Sequence, residues 1–129
     1  MAYAAKTDVS VSNSKAEIER IVERYGASGF MSGWTAEQAV IAFSMEARQV
    51  RFILKMPNRS DPDFTQYKRG YSMVDRTEDA AAKLWEQACR QKWRALALVI
   101  KAKLEAVESG ISIFEDEFMA AIVMPKAFM

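Results

Sequence analysis

Histidine is absent from this chain and cysteine occurs once, so the side chains that most often act as general base or metal ligand are nearly missing. Structural zinc sites are thereby excluded, because four nitrogen or sulfur ligands cannot be assembled. Cys89 falls inside an apolar stripe of helical spacing, where a buried inert thiol is expected rather than a nucleophile. Asp61-Pro62-Asp63 begins like a calcium loop, yet Gln66 stands where glycine should make the turn and Ser72 where a bidentate glutamate should close it. Glu115-Asp116-Glu117 reads as the acidic first turn of a helix, meeting the positive end of its dipole. The glycines are scattered singly, with no phosphate-cradling loop. Two carboxylates could still meet in the fold, but no spacing points to such a pair. The expectation is a protein without catalytic residues, metal or cofactor.

Residues suited to binding are more concentrated. Arg59, Phe64, Tyr67, Lys68, Arg69 and Tyr71 alternate cations with aromatic rings, and Arg51 and Lys55 precede them on a strand-like run. Cations neutralise phosphates and rings stack on unpaired bases, so the combination suits a nucleic acid, above all a single strand. A competing reading is a solvated face beside a loop whose rings tuck back on the core. Charge is unevenly spread along the chain. Residues 1–47 carry four basic and six acidic side chains, residues 48–103 thirteen and six, and residues 104–129 one and five. The net charge of +1 therefore conceals a basic middle, and a basic face attracts polyanions unless its fold neighbours neutralise it.

The elements that must position these residues follow from periodicity. Val9 and Val11 alternate with Asp8 and Ser10, suggesting a short extra N-terminal strand. Ser14-Lys15-Ala16-Glu17 fits a capping box and starts a helix whose Ile18, Ile21, Val22 and Tyr25 recur at three and four, with Gly26 to end it. Strand-like runs over 30–34, 39–45 and 48–56 are separated by short breaks, which predicts a three-stranded antiparallel meander. Its apolar face includes Ile41, Phe43, Val50, Phe52 and Leu54, and its wet face carries Arg51 and Lys55. Residues 57–78 have neither period and read as a long polar loop.

From residue 79 to 108 a helical stripe runs through Trp85, Cys89, Trp93, Leu96, Ile100, Leu104 and Val107, broadened by Ala81, Leu84, Ala88, Ala95 and Val99. Unbroken, this helix would be about 45 Å long. A compact domain of this size is only about 36 Å across, so the helix should either bend or pack its end on a partner, a homodimer through 79–108. Ser112-Ile113-Phe114-Glu115 suggests a second capping box and a short closing helix through Phe114, Phe118 and Ile122, ending before Pro125. The sum is a single α+β domain over 1–129, its sheet covered on one face by an N-terminal helix and a long C-terminal helix followed by a short one. Half of the residues are hydrophobic, enough for one core. Neither a secretory signal nor a membrane span is evident, and the lone cysteine suits a reducing compartment, so a cytoplasmic protein is expected.

Further stretches carry a resemblance. Ala16 to Arg20, Arg24 to Ala27, Gln91 to Val107, Gly110-Ile111 and Phe114 to Phe118 with Pro125 resemble a family of small phage- and prophage-encoded proteins. The resemblance covers nearly the whole chain and implies a phage setting, hence the bacterial host cytoplasm, but no mechanism. In that setting three roles are expected. The first is a non-enzymatic accessory protein that binds nucleic acid through Arg51, Lys55, Arg59, Tyr67, Lys68, Arg69 and Tyr71. The second is an interaction protein that inhibits a host anti-phage nucleoprotein complex, of the anti-CRISPR kind. The third is a structural or oligomeric phage protein. The helix, three strands, helix order also resembles that of double-stranded RNA-binding domains and the core of single-strand annealing proteins, in layout alone.

Overall fold

A computed structural model describes residues 7–124 of the chain. Helix α1 spans Val11–Arg24, one turn earlier than the capping box at Ser14 predicted. Ser10 caps it instead, its Oγ accepting the Asn13 N–H at 3.1 Å. Val11 is thus the first residue of the helix, half-buried against the core, and the expected N-terminal strand does not form: Val9 lies in irregular chain before the helix. Ser14 lies fully buried inside α1. Ile18, Ile21 and Val22 form the buried stripe, and Gly26, at φ +104°, turns the chain out of the helix.

The meander forms as predicted, from β1 (Gly29–Trp34), β2 (Gln38–Met45) and β3 (Arg48–Lys55), in the order β1-β2-β3. Phe30 pairs opposite Phe43, which pairs opposite Val50, while Ile41 faces Phe52. That register gathers the large apolar side chains on one face. β2, the central strand, is buried along most of its length, and outward-pointing Ala42 is covered between its cross-strand neighbours Met31 and Arg51. Glu46 and Ala47 make the tight turn into β3 with both residues at positive φ, 54° and 57°.

Residues 57–78 are not one loop. They hold a single helical turn, α2 (Pro62–Thr65), capped by Asp61, and an antiparallel hairpin of β4 (Gln66–Arg69) and β5 (Ser72–Asp75). Gly70 begins the two-residue turn at φ +63° while Tyr71 keeps a negative φ, the arrangement in which glycine leads a hairpin turn of the mirror-image kind. Both strands are short and mostly exposed, so no alternation of hydrophobicity announces them.

Thr77 then caps α3 (Glu78–Glu108), which runs unbroken for 31 residues. The break that its length offered as one of two alternatives does not occur. Its N-terminal half is instead covered by the chain's own excursion: α2 packs on it, and the Trp85 indole Nε1–H donates to the Pro57 carbonyl at 2.8 Å. Further along, Trp93, Leu96, Ala97, Ile100 and Leu104 face α1 and the sheet. Arg94 forms an ion pair with Glu17 of α1. Each fully buried Ile or Phe here contributes about 1.5–3 kcal/mol by its removal from water.

The closing helix α4 (Phe114–Phe118) is shorter than predicted and starts after Ile113, without a side-chain cap from Ser112. A 3₁₀ turn, Met119–Ala121, follows. Ile122 is not helical: it bridges Val50 at the free edge of β3, and the Val123 N–H donates to the Gln49 carbonyl at 2.8 Å. Phe118 meets Phe43 edge-on at 6.0 Å between ring centres, which pins α4 to the sheet. Pro125 lies outside the described residues. The fold is α+β, and no described helix is long and apolar enough to cross a membrane.

Candidate functional site

The structure divides the seven residues singled out by sequence among three places. Arg51 and Lys55 point outward from β3, opposite Ala42 and Gln38, on the sheet face that no helix covers. Arg59 lies in the stretch before α2, with its guanidinium 5.2 Å from the centre of the Trp85 ring. Tyr67, Lys68, Arg69 and Tyr71 belong to the β4–β5 hairpin. No ladder joins that hairpin to the three-stranded sheet.

Within the hairpin the residues differ in availability. Arg76 lies over the Tyr67 ring at 5.6 Å, occupying one of its faces. Tyr71, at the tip, is fully exposed, and Lys68 stands opposite exposed Met73. Among the described residues, none of Arg51, Lys55, Lys68 or Arg69 is within ion-pair distance of a carboxylate. The basic middle is nonetheless partly neutralised elsewhere. Arg48 pairs with Glu115 at 3.9 Å, Lys103 with Glu117 at 3.6 Å, and Arg94 with Glu17, so acids of both terminal segments reach cations of the middle one.

A second constellation was not singled out by sequence. All three tryptophans of the chain, Trp34, Trp85 and Trp93, line one open cavity of about 450 Å³ between the start of α1, the β1–β2 turn and α3. That volume lies in the range of small-molecule sites, roughly 300–1,000 Å³. Trp93 is only 2% exposed, whereas Trp34, the last residue of β1, is 76% exposed. Lys15 and Arg90 line the cavity, with Glu86 as the acidic member, and the Lys15 ammonium lies 4.9 Å from the centre of Trp93. Cys89 also borders it, and burial pushes its thiol pKa up, against a smaller opposing effect of Arg90. Periodicity placed Trp85 and Trp93 in a core stripe and Trp34 in a strand, and a meeting across dozens of residues leaves no local spacing to read. The available signal was Trp34 itself, a large ring at a strand's end beside a polar turn.

Among the described residues no group of three carboxylates and thiols is arranged to hold a metal ion. No protein-family model, curated protein or solved structure matches the chain, so the functional reading rests on the geometry of these residues.

Proposed function

We propose that this chain is a non-enzymatic module that binds single-stranded nucleic acid, in keeping with an accessory role in a phage setting. The observation that carries the reading is the set of exposed cations Arg51, Lys55, Lys68 and Arg69, none of them paired with a carboxylate among the described residues, together with the fully exposed Tyr71 ring at the hairpin tip. Unpaired cations bind phosphates without first giving up a carboxylate partner, and a free ring offers a stacking face to a base. Tyr71 serves as the stacking residue in preference to Tyr67, whose ring is already engaged by Arg76. The test is a fluorescence-anisotropy titration with labelled single- and double-stranded oligonucleotides. Three or four phosphate contacts give a slope of log affinity against log salt of about −2 to −3 for a single strand. Lys68→Glu with Arg69→Glu should lower affinity at least about tenfold, and absence of binding to any oligonucleotide at low salt ends the reading.

Self-assembly is a second reading, favoured by the outward face of α3. Ala81, Ala88, Ala95 and Ala102 recur every seven residues, and Leu84 and Leu98 follow Ala81 and Ala95 by three, with Gln91 at the position between them. That is the repeat by which one helix seats against another along its length. Leu84 and Val99 are 40% and 45% exposed, so the occupant of this face is read as a second copy of the chain, contributing the same stripe.

A further inference from the structure

We propose that the tryptophan cavity binds a nucleotide, its base stacked on Trp34 and its phosphate held by Lys15 and Arg90. The inference stands on different residues from the nucleic-acid reading above and can hold or fail apart from it. Trp85 is a fixed wall, because its indole N–H is committed to the Pro57 carbonyl and Arg59 lies against its ring. Trp93 is fixed by burial in the core. Trp34 is the free wall: most of its surface meets water, at an end of β1 where a polar residue would serve the fold equally well. One accessible ring beside two fixed walls suits a flat ligand that stacks on Trp34.

Charge selects among flat ligands. Aromatic pockets also take quaternary ammonium groups, but those cations bind where the ring faces are vacant. Here Lys15 already lies over Trp93 and Arg59 over Trp85, and the lining cations Lys15 and Arg90 outnumber Glu86. A cationic guest is therefore repelled, and an anionic group attached to the ring is drawn in. Arg90 is steadied by its Nε hydrogen bond to Gln87 Oε1 at 3.0 Å, which holds the guanidinium beside the cavity. A heteroaromatic base with a phosphate meets both requirements, whether it comes from a free nucleotide or from a nucleotide of a single strand.

The experiment follows the three indole N–H signals by NMR while adenosine 5′-monophosphate, adenosine, choline or a short single-stranded oligonucleotide is added at low salt. Adenosine monophosphate should shift the tryptophan signals saturably, adenosine should bind several-fold more weakly, and choline should leave them in place. Trp34→Ala should weaken the nucleotide about tenfold, as expected for one lost stacking partner, and Trp34→Phe should restore most of it. Trp34 is exposed, so the substitution spares the core. The Lys68→Glu, Arg69→Glu variant should bind adenosine monophosphate as the parent does, even where it loses oligonucleotide. If the oligonucleotide shifts the same indoles, the nucleotide comes from a strand; if it binds elsewhere or not at all while the monophosphate shifts them, a free nucleotide is the ligand. The proposal is overturned if neither probe moves the indoles, if the shifts survive Trp34→Ala unchanged, or if choline binds better than the monophosphate.

Discussion

Two serines a turn apart show how much one residue decides. Ser10 and Ser14 are both followed by sequences that a helix can start on, and the spacing of Glu17 favours Ser14. Structure reverses the assignment, leaving the Ser14 hydroxyl buried without a hydrogen-bond partner among the described residues. The two alanine substitutions should therefore have opposite signs. Ser10→Ala removes a cap and should cost about 1 kcal/mol, while Ser14→Ala removes an unsatisfied buried hydroxyl and should add about 1 kcal/mol. Urea midpoints of both variants check this, and a destabilised Ser14→Ala protein would restore the capping-box reading. Cys89 offers a second residue-scale outcome. Because burial raises its folded pKa, the thiol contribution to stability is intact below the unfolded value, about 8.5, and is lost as pH rises through the higher folded value. Iodoacetamide should alkylate Cys89 more slowly in native than in urea-unfolded protein at the same pH, and Cys89→Ala should flatten the alkaline decline in stability. The buried thiol was legible from its stripe; the ring cavity beside it was not, because Trp34 and Cys89 come to line it only through the packing of sheet on helix.

Among the elements, those with a strong local period were readable and those without one were not. The sheet register follows from alternation in β3 and from the short β1–β2 and β2–β3 breaks, and α3 follows from a stripe sustained over 31 residues. The β4–β5 hairpin escaped because four-residue exposed strands have no hydrophobic face to encode, and Ile122 escaped because a single edge bridge imposes no period at all. The β2–β3 turn marks the opposite case, an element formed against local preference. Glu46 and Ala47 both sit in the left-handed region, where glycine and asparagine are at ease and other residues are strained. The cross-strand pairs on either side, Met45 with Arg48 and Ser44 with Gln49, hold the turn in place. Replacing the pair by Glu46→Asn with Ala47→Gly should relieve the strain and raise stability by about 1 kcal/mol, read from thermal or urea unfolding. A loss of stability would mean that the flexibility glycine gives the unfolded chain outweighs the relieved strain.

At the scale of the whole molecule, the long helix decides what the surface offers. α3 is about 46 Å long at roughly 1.5 Å per residue, and its inward face is spent on α1 and the sheet. Its overhang, which the sequence alone assigned either to a bend or to a partner, is partly met by α2 and the Pro57 contact. What remains uncovered is the outward stripe of alanines with Leu84, Leu98 and Val99. From Ala81 to Ala102 the stripe is about 32 Å long, and at about 10 Å wide it buries roughly 600 Å² when two copies meet, below the roughly 1,200–2,000 Å² of stable, specific interfaces. Self-association through α3 should accordingly be weak and reversible. Sedimentation velocity should show a mean coefficient that rises with concentration, instead of a dimer that survives dilution. Val99→Glu places a charge beside Leu98, toward the C-terminal end of the stripe and at a position already half in water, so it should abolish the rise while leaving the urea midpoint nearly unchanged. A sedimentation coefficient independent of concentration, or a rise that Val99→Glu does not diminish, would remove the second copy from this face. The strand binding proposed for the cations of β3 and the hairpin does not depend on that face.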